Sequence, residues 1–483
     1  MTRFFRAGLL TVFFVGLFCF QSRAGAADDG LKKIKNIIIL YLENRSFNNL
    51  FGTFPGANGL SRVGQSVVQR DQNGAVYRFL PNPQGPFDVQ GNAPHVRALS
   101  LPELPNEPFA IDGAAPGISI GTTTRGLTHL FYTNRAQING GANDRFAWLS
   151  NAGGLTMGYY SLSAMQPTHL WKNAQRGVLF DNFFQGAFGG SFLNHIWLVC
   201  GCAPVWPKPA ESQRSVLDAN GLPVHERRVT TASDGDYAVN TTQSEFLNDG
   251  HQGNHLLPGQ SSVTIGDRLS ENGIDWAWYS EGWDLAITQN RTPEQQNELN
   301  TIRFSYHHQP FAYFQRFDPS TARGRAQRRI HLRDAKDFEN DIRSGQLPPV
   351  AVYKPANINS EHPGEGSVAA GDAVIGRLMD LLDAGPLRDS YAFIITYDEF
   401  GGFYDHVPPP AGPHAKARAD FFGPGTRIPT VLVSPFAKRG TIDSVEYETT
   451  SILKFISERF DLDPLPSPRF YAVKSLSGAF DFK

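Results

Sequence analysis

Two short polar pairs stand directly behind strongly apolar runs. Glu43-Asn44 follows Asn36–Leu42 (NIIILYL), and Asp398-Glu399 follows Ala392–Tyr397. Adjacent carboxylates just past a buried strand repel each other and are costly to strip of water, and a bound divalent cation reverses both costs. Glu43, Asn44, Asp398 and Glu399 offer oxygen donors only, which suits a hard or borderline cation better than a thiolate-seeking one. Mg, Ca and Mn share that preference, and a histidine partner would admit Zn. Asp398-Glu399 alone would equally well cap a turn before Gly401-Gly402. The second polar strand end at Glu43-Asn44 favours metal.

A nucleophile candidate lies in Phe188–His195 (FGGSFLNH), where Gly189 and Gly190 let the backbone turn tightly and leave Ser191 open to approach. Leu193 replaces the second glycine of a G-x-S-x-G elbow. Trp206 stands where the C-x-P-x-R core of a sulfatase, starting at Cys202, would need arginine. A glycine-flanked serine is weak evidence by itself. Beside an oxygen-ligated metal it gains weight, because coordination lowers the pKa of an alcohol. His129, His307-His308 and His362 fall in loop-like segments and are candidates to contact phosphate oxygens or protonate a leaving group. In an extended segment adjacent side chains diverge, so one of His307 and His308 is expected to reach the site. His406, after Asp405, reads equally as a ring oriented by that carboxylate near the site or as a structural residue.

The elements that must position these groups alternate. Asn36–Leu42 is a continuous apolar run, as in a strand buried on both faces. Val178–Phe184, Ile274–Tyr279, Val350–Tyr353, Ala392–Tyr397 and Thr430–Val433 read as further strands. Between them, Val374, Leu378, Leu381 and Leu382 form one helical stripe within Gly371–Ala384. Ala335, Phe338 and Ile342 form another, and Ile452, Leu453, Ile456 and Phe460 a third. Strands separated by helices imply an α/β fold with a mostly parallel central sheet covered on both faces, and ligand sites beyond the carboxyl ends of its strands. Residues 54–117 and 202–259 are rich in Gly, Pro, Asn and Gln without sustained periodicity, and read as long surface insertions.

Composition narrows the function. The 483 residues carry 44 Lys+Arg against 46 Asp+Glu, so no basic excess is available to neutralise nucleic-acid phosphates. Aromatics at 12% and charged residues at 19% exclude a disordered chain. Arg3 and Arg6 precede an apolar run from Ala7 to Phe20, and Ala24-Gly25-Ala26 offers small residues for cleavage. That is the layout of a secretory signal peptide, with cleavage expected after Ala26, and the apolar run is too short for a comfortable membrane anchor. The expected mature unit is 27–483, one catalytic domain located in the periplasm or outside the cell. Cys200 and Cys202 then remain, either bridged or as two thiols, because an extended spacing of about 6.6 Å lies at the upper limit for a disulfide.

Beyond these readings, ENRSFNNLFG at Glu43–Gly52 resembles the opening signature of the bacterial phosphoesterase family, which joins secreted acid phosphatases and non-specific phospholipases C. EHP at Glu361–Pro363, TYDEFGGFYDHVPPP at Thr396–Pro410 and SPFAKRG at Ser434–Gly440 are similar to its later signatures, in order. The resemblance implies an alkaline-phosphatase-like fold. It places Glu43, Asn44, Ser191, Asp398 and Glu399 on metal-site positions and Ser191 on the nucleophile. His129, His308 and His362 fall where phosphate-contacting or proton-donating histidines are expected, and Asn194 is expected to meet phosphate oxygens. FGGSFLNH resembles the acid phosphatase branch, since the phospholipase branch usually carries threonine in a G-P-T-x-P-N-R-like context. The expectation is therefore a phosphomonoesterase acting on small phosphate monoesters through a phosphoserine. The alternatives are a phospholipase C acting on phospholipid, or a non-catalytic lipid-binding protein on the same scaffold.

Overall fold

The structure, a computed structural model, describes residue 1 and residues 30–63, 68–83, 103–114, 116–247, 256–410 and 420–483. The expected leader, apart from Met1, and parts of both insertions lie outside the described residues. No helix among the described residues is long and apolar enough to cross a membrane.

The elements used below are, in chain order, β1 (Asn36–Leu42), α1 (Phe47–Phe51), α2 (Phe131–Ile138), α3 (His169–Arg176), β2 (Val178–Phe180), α4 (Ser191–Cys200), β3 (Trp276–Ser280) and β4 (Leu332–Asp334). They continue with α5 (Ala335–Ser344), β5 (Val350–Lys354), α6 (Val368–Ala384), β6 (Tyr391–Tyr397), β7 (Thr430–Val433), β8 (Thr441–Asp443) and α7 (Thr449–Phe460). The strands form one eight-stranded sheet in the order β4-β3-β5-β1-β6-β7-β2-β8. All neighbouring pairs are parallel except those made by β7, which runs against both β6 and β2.

Every residue of β1 is buried, as the unbroken apolar run requires of a central strand. The period of two then sorts side chains between the faces. Ile39, Trp276, Trp278, Val350 and Val352 meet Leu198 and Val199 of α4 and Ile456 of α7 on one face. Tyr353 points to the other, where its ring stacks on Phe338 of α5 at 4.8 Å between centroids. There α6 packs against both α3 and α5. The α/β architecture with helices on both faces of a mostly parallel sheet is thus the one observed.

Three details depart from or complete the pattern-based expectation. The run Val178–Phe184 splits, because β2 ends at Phe180 and Phe183–Phe184 pairs with Tyr447–Glu448 instead. The break falls at Asp181-Asn182, whose side chains engage backbone: Asn58 N–H donates to the Asp181 carboxylate at 2.7 Å, and Asn182 donates to Ser444 O at 2.8 Å. The segment after Gly190 is a ten-residue helix, α4, buried along its whole length, so no polar face marks it in the sequence. Finally, Cys200 and Cys202 are bridged, with Cα atoms 5.2 Å apart. Gly201 is left-handed at φ 60° and folds the chain back at the end of α4, so the spacing is shorter than an extended strand allows.

Candidate active site

The site grows out of the register between β1 and β6. Leu42 lies opposite Tyr397, and Asp398 N–H donates to Leu42 O at 3.0 Å, so Glu43 and Asp398 leave the sheet side by side. Asn44 adopts a left-handed conformation at φ 62°, one that asparagine tolerates better than most residues. This directs its N–H to Asp398 Oδ1 at 3.0 Å, while Arg45 N–H donates to Glu399 O at 3.0 Å. Gly401 closes the interlock. It also sits at positive φ, its N–H donates to Glu399 Oε2 at 2.6 Å, and a Cβ there would lie 2.0 Å from Asn44 O.

Ser191 is the first residue of α4, and its hydroxyl donates to Asn44 Oδ1 at 3.3 Å. Gly189, at φ 83°, lets the loop lie on the segment after His129, since a Cβ there would be 2.6 Å from Phe131 N. The His129 ring enters from that segment. Its Nδ1 pairs with Leu127 O at 2.6 Å, while Nε2 stands 3.4 Å from the Asn44 amide and 3.8 Å from Glu399 Oε1. His362 meets His129 edge to face at 5.9 Å, and His308 Nε2 contacts Glu43. The expected metal-site residues and His129, His308 and His362 are therefore gathered at one strand-end site. Of these, Glu43, Ser191, His129, His308 and His362 line a cavity of about 100 Å³, joined there by His307.

Two expectations are corrected, and His406, left open by the sequence, is placed. Asn194 does not face the cavity; its amide is spent on the loop, accepting from Ala187 N at 3.0 Å and donating toward the carbonyls of Ala187, Gly189 and Gly190. It fixes the turn that presents Ser191. Both His307 and His308 line the cavity, because Tyr306–His308 is a 3-10 turn rather than an extended segment. The His406 ring pairs with Asn48 Oδ1 at 3.0 Å, and the Asp405 carboxylate is taken by buried Arg427 at 3.0 Å.

Other residues join the site without having been singled out. His195, one turn along α4, places Nδ1 2.7 Å from Ser191 O and 3.8 Å from Asp398 Oδ2. Its signal was the i,i+4 spacing from Ser191, readable only once the helix is known. Lys354 ends β5 fully buried, with Nζ 2.6 Å from Glu43 Oε1. A lysine closing an apolar run was its signal. Glu361, at φ 73°, offers its carbonyl to Arg45 Nε and Nη2 at 3.1 and 2.7 Å, which ties the His362 turn to the residue after Asn44. The 202–259 insertion contributes Asn240 and Thr241 to the cavity wall. It also supplies Glu226, whose carboxylate accepts from Tyr132 N at 2.5 Å and Thr133 N at 2.9 Å and so caps α2 just after His129.

Burial sets the electrostatics. Desolvation pushes the Asp398 carboxyl up to about 7, and desolvation with the Asp398 charge beside it carries Glu399 well above its ordinary value. Burial would raise Glu43 too, but His308 and Lys354 outweigh it and hold Glu43 well below the usual range. Burial lowers His129 and His308 to about 4, His362 adding to the effect on His129 while Glu43 opposes it on His308. Asp398 Oδ2 and Glu399 Oε1 are fully buried and have no hydrogen-bond partner. Unpartnered carboxylate oxygens beside an amide and an alcohol oxygen fit a hard or borderline divalent cation.

Across residues 34–463 the chain matches the sequence profile of the Phosphoesterase family. The chain belongs to the phosphoesterase family. As a phosphoesterase it is a hydrolase of phosphoric ester bonds. Phospholipase C A of Mycobacterium tuberculosis is 25% identical over 489 residues, covering 95% of this chain and 79% of that protein. The non-hemolytic phospholipase C of Pseudomonas aeruginosa is 24% identical, covering 94% of this chain and 58% of that protein. A solved protein in the alkaline phosphatase superfamily from Vibrio parahaemolyticus is 12% identical with a TM-score of 0.34, covering 76% of this chain and 75% of that one.

Two outcomes are expected of this phosphoesterase site. Gly401→Ala should cost about 1–3 kcal/mol through strain and overlap with Asn44 O, read as a lower denaturation midpoint with reduced turnover. The second concerns pH. Asp398 and Glu361 keep a proton in the folded chain to about 7 and about 8, where the unfolded chain has released it near 4. The bound proton's contribution to stability is full below about 4 and is lost as pH rises from there through the folded-state values. The melting temperature of chelator-treated protein should fall between roughly pH 4 and 8 and level off above. A saturating divalent cation should flatten the decline without abolishing it, since Glu361 lies outside the expected ligand set. A melting temperature that climbs over this interval in chelator contradicts the assignment.

Proposed function

We propose that the protein is an exported phosphomonoesterase, with residues 27–483 as one catalytic unit working through Ser191 and a divalent cation. The observation that carries this reading is the placement of Ser191. It sits at the start of α4, against Asn44, in a small polar cavity among His129, His307, His308 and His362. Gly190 provides no side-chain cap, so the first-turn N–H groups of α4 are left for an anion.

In this reading Glu43, Asn44, Ser191, Asp398 and Glu399 hold the cation. When bound, it lowers the pKa of the Ser191 alcohol and offsets charge on the phosphoryl oxygens. The Ser191 hydroxyl, hydrogen-bonded to Asn44 Oδ1, gives its proton to solvent as Oγ attacks phosphorus. The Oγ–P bond forms while the ester P–O bond breaks in line with it. His362 delivers a proton to the departing oxygen, and His129 and His308 contact the phosphoryl group. Water then hydrolyses the phosphoserine and frees Ser191.

A second reading, phospholipase C, is favoured by the phospholipase C names of the curated relatives. The cavity weighs toward the monoesterase. It is small, and Leu130 is the one large apolar side chain among its lining residues. The deciding assay is phosphate release from p-nitrophenyl phosphate beside headgroup release from phosphatidylcholine, with and without chelator. Faster monoester turnover is expected, and preferential lipid cleavage would move the assignment to phospholipase C. Ser191→Ala should lose at least about 10³-fold in turnover while staying folded. Turnover near wild type in that variant would remove Ser191 from the nucleophile role.

A further inference from the structure

Glu43 is shared between two cation-shaped positions. One is the position proposed above, built with Asn44, Ser191, Asp398 and Glu399. The other lies behind it, where one donor atom each from Glu43, His195 and His308 come within 4.8 Å of one another, all three residues buried. His195 Nδ1 faces Ser191 O at 2.7 Å and so carries the ring proton, leaving Nε2 with its lone pair. That Nε2 is buried without a hydrogen-bond partner. A carboxylate and two imidazoles at such separation form a donor set suited to a borderline cation such as Zn or Mn.

A protein cation already stands against Glu43. Lys354, the last residue of β5 and fully buried, brings Nζ to 2.6 Å from Glu43 Oε1, the oxygen that His308 also contacts. Nζ also donates to Tyr41 O at 3.2 Å, which leaves a third proton for a neighbouring lone pair. We propose that the Lys354 ammonium is the resident cation of the Glu43–His195–His308 position, so that the chain is built to hold one metal ion rather than two. A lysine at that place neutralises Glu43 whatever the metal supply, and its charge repels a second divalent ion from the same oxygen. The inference rests on the reading of a cation site at Ser191.

The test counts metal. Stripped protein is reloaded with Mn²⁺ or Zn²⁺, dialysed, and assayed by elemental analysis. Wild type should hold one ion per chain, and His195→Ala should still hold one. Lys354→Met should take up a second ion, and adding His195→Ala to it should return the count to one. Two ions in wild type, loss of the ion in His195→Ala, or a folded Lys354→Met that still holds one would each overturn the proposal. No ion in wild type would instead overturn the Ser191 cation site, and this inference with it. Should Lys354→Met not fold, anomalous scattering from wild-type crystals soaked in Mn²⁺ decides. A single peak beside Ser191, with light-atom density bridging Glu43, supports the ammonium, and a peak among Glu43, His195 and His308 refutes it.

Discussion

Pairing β1 with β6 in parallel forces Glu43 and Asp398 out of the sheet beside each other, with Glu399 next in line and all three side chains buried. Three buried carboxylates in that arrangement are the cost around which the mouth of the sheet is organised. The protein meets it in two ways. Lys354 and His308 hold Glu43 ionised, whereas Asp398 and Glu399 are left with unpartnered oxygens and raised proton affinity. The interlocked turns at Asn44 and Gly401 keep that second pair from relaxing apart. Phosphoester chemistry is then the use made of a charge problem that the topology creates.

Most of the sheet could be read from hydrophobic runs because central parallel strands are apolar on both faces. Asn36–Leu42 and Thr430–Val433 match their strands residue for residue, and the helical stripes of α5, α6 and α7 are amphipathic enough to show. Edge strands β4 and β8 have three residues each, too few for a period to register. Helix α4 was hidden for the opposite reason. It is buried on every side, so its apolar residues carry no stripe, and the paired glycines ahead of it resemble a loop.

The same blind spot shaped the reading of the site. Residues adjacent to strand ends, such as Glu43, Asn44, Asp398 and Glu399, were visible because a charge behind an apolar run is conspicuous. The Asn194 amide serves the local backbone, a role that composition cannot distinguish from phosphate contact. His195 is legible only with a helical geometry, and Lys354 lies one residue beyond the apolar run Val350–Tyr353, at the strand's end. His307 turned inward because a tight turn, unlike an extended chain, can bring adjacent rings to one cavity.

Glu226 belongs to an insertion far along the chain from His129, yet its carboxylate supplies the cap for the helix that follows that histidine. The insertion and the catalytic loop are thus one mechanical part with two stretches of sequence. Exchanging the 202–259 segment between relatives would therefore transplant more than a rim around the cavity. A donor segment lacking an acidic group at this place would leave the first turn of α2 without its acceptor, and His129 would inherit the slack. Chimeras in this scaffold are best cut so that the cap travels with the helix it closes.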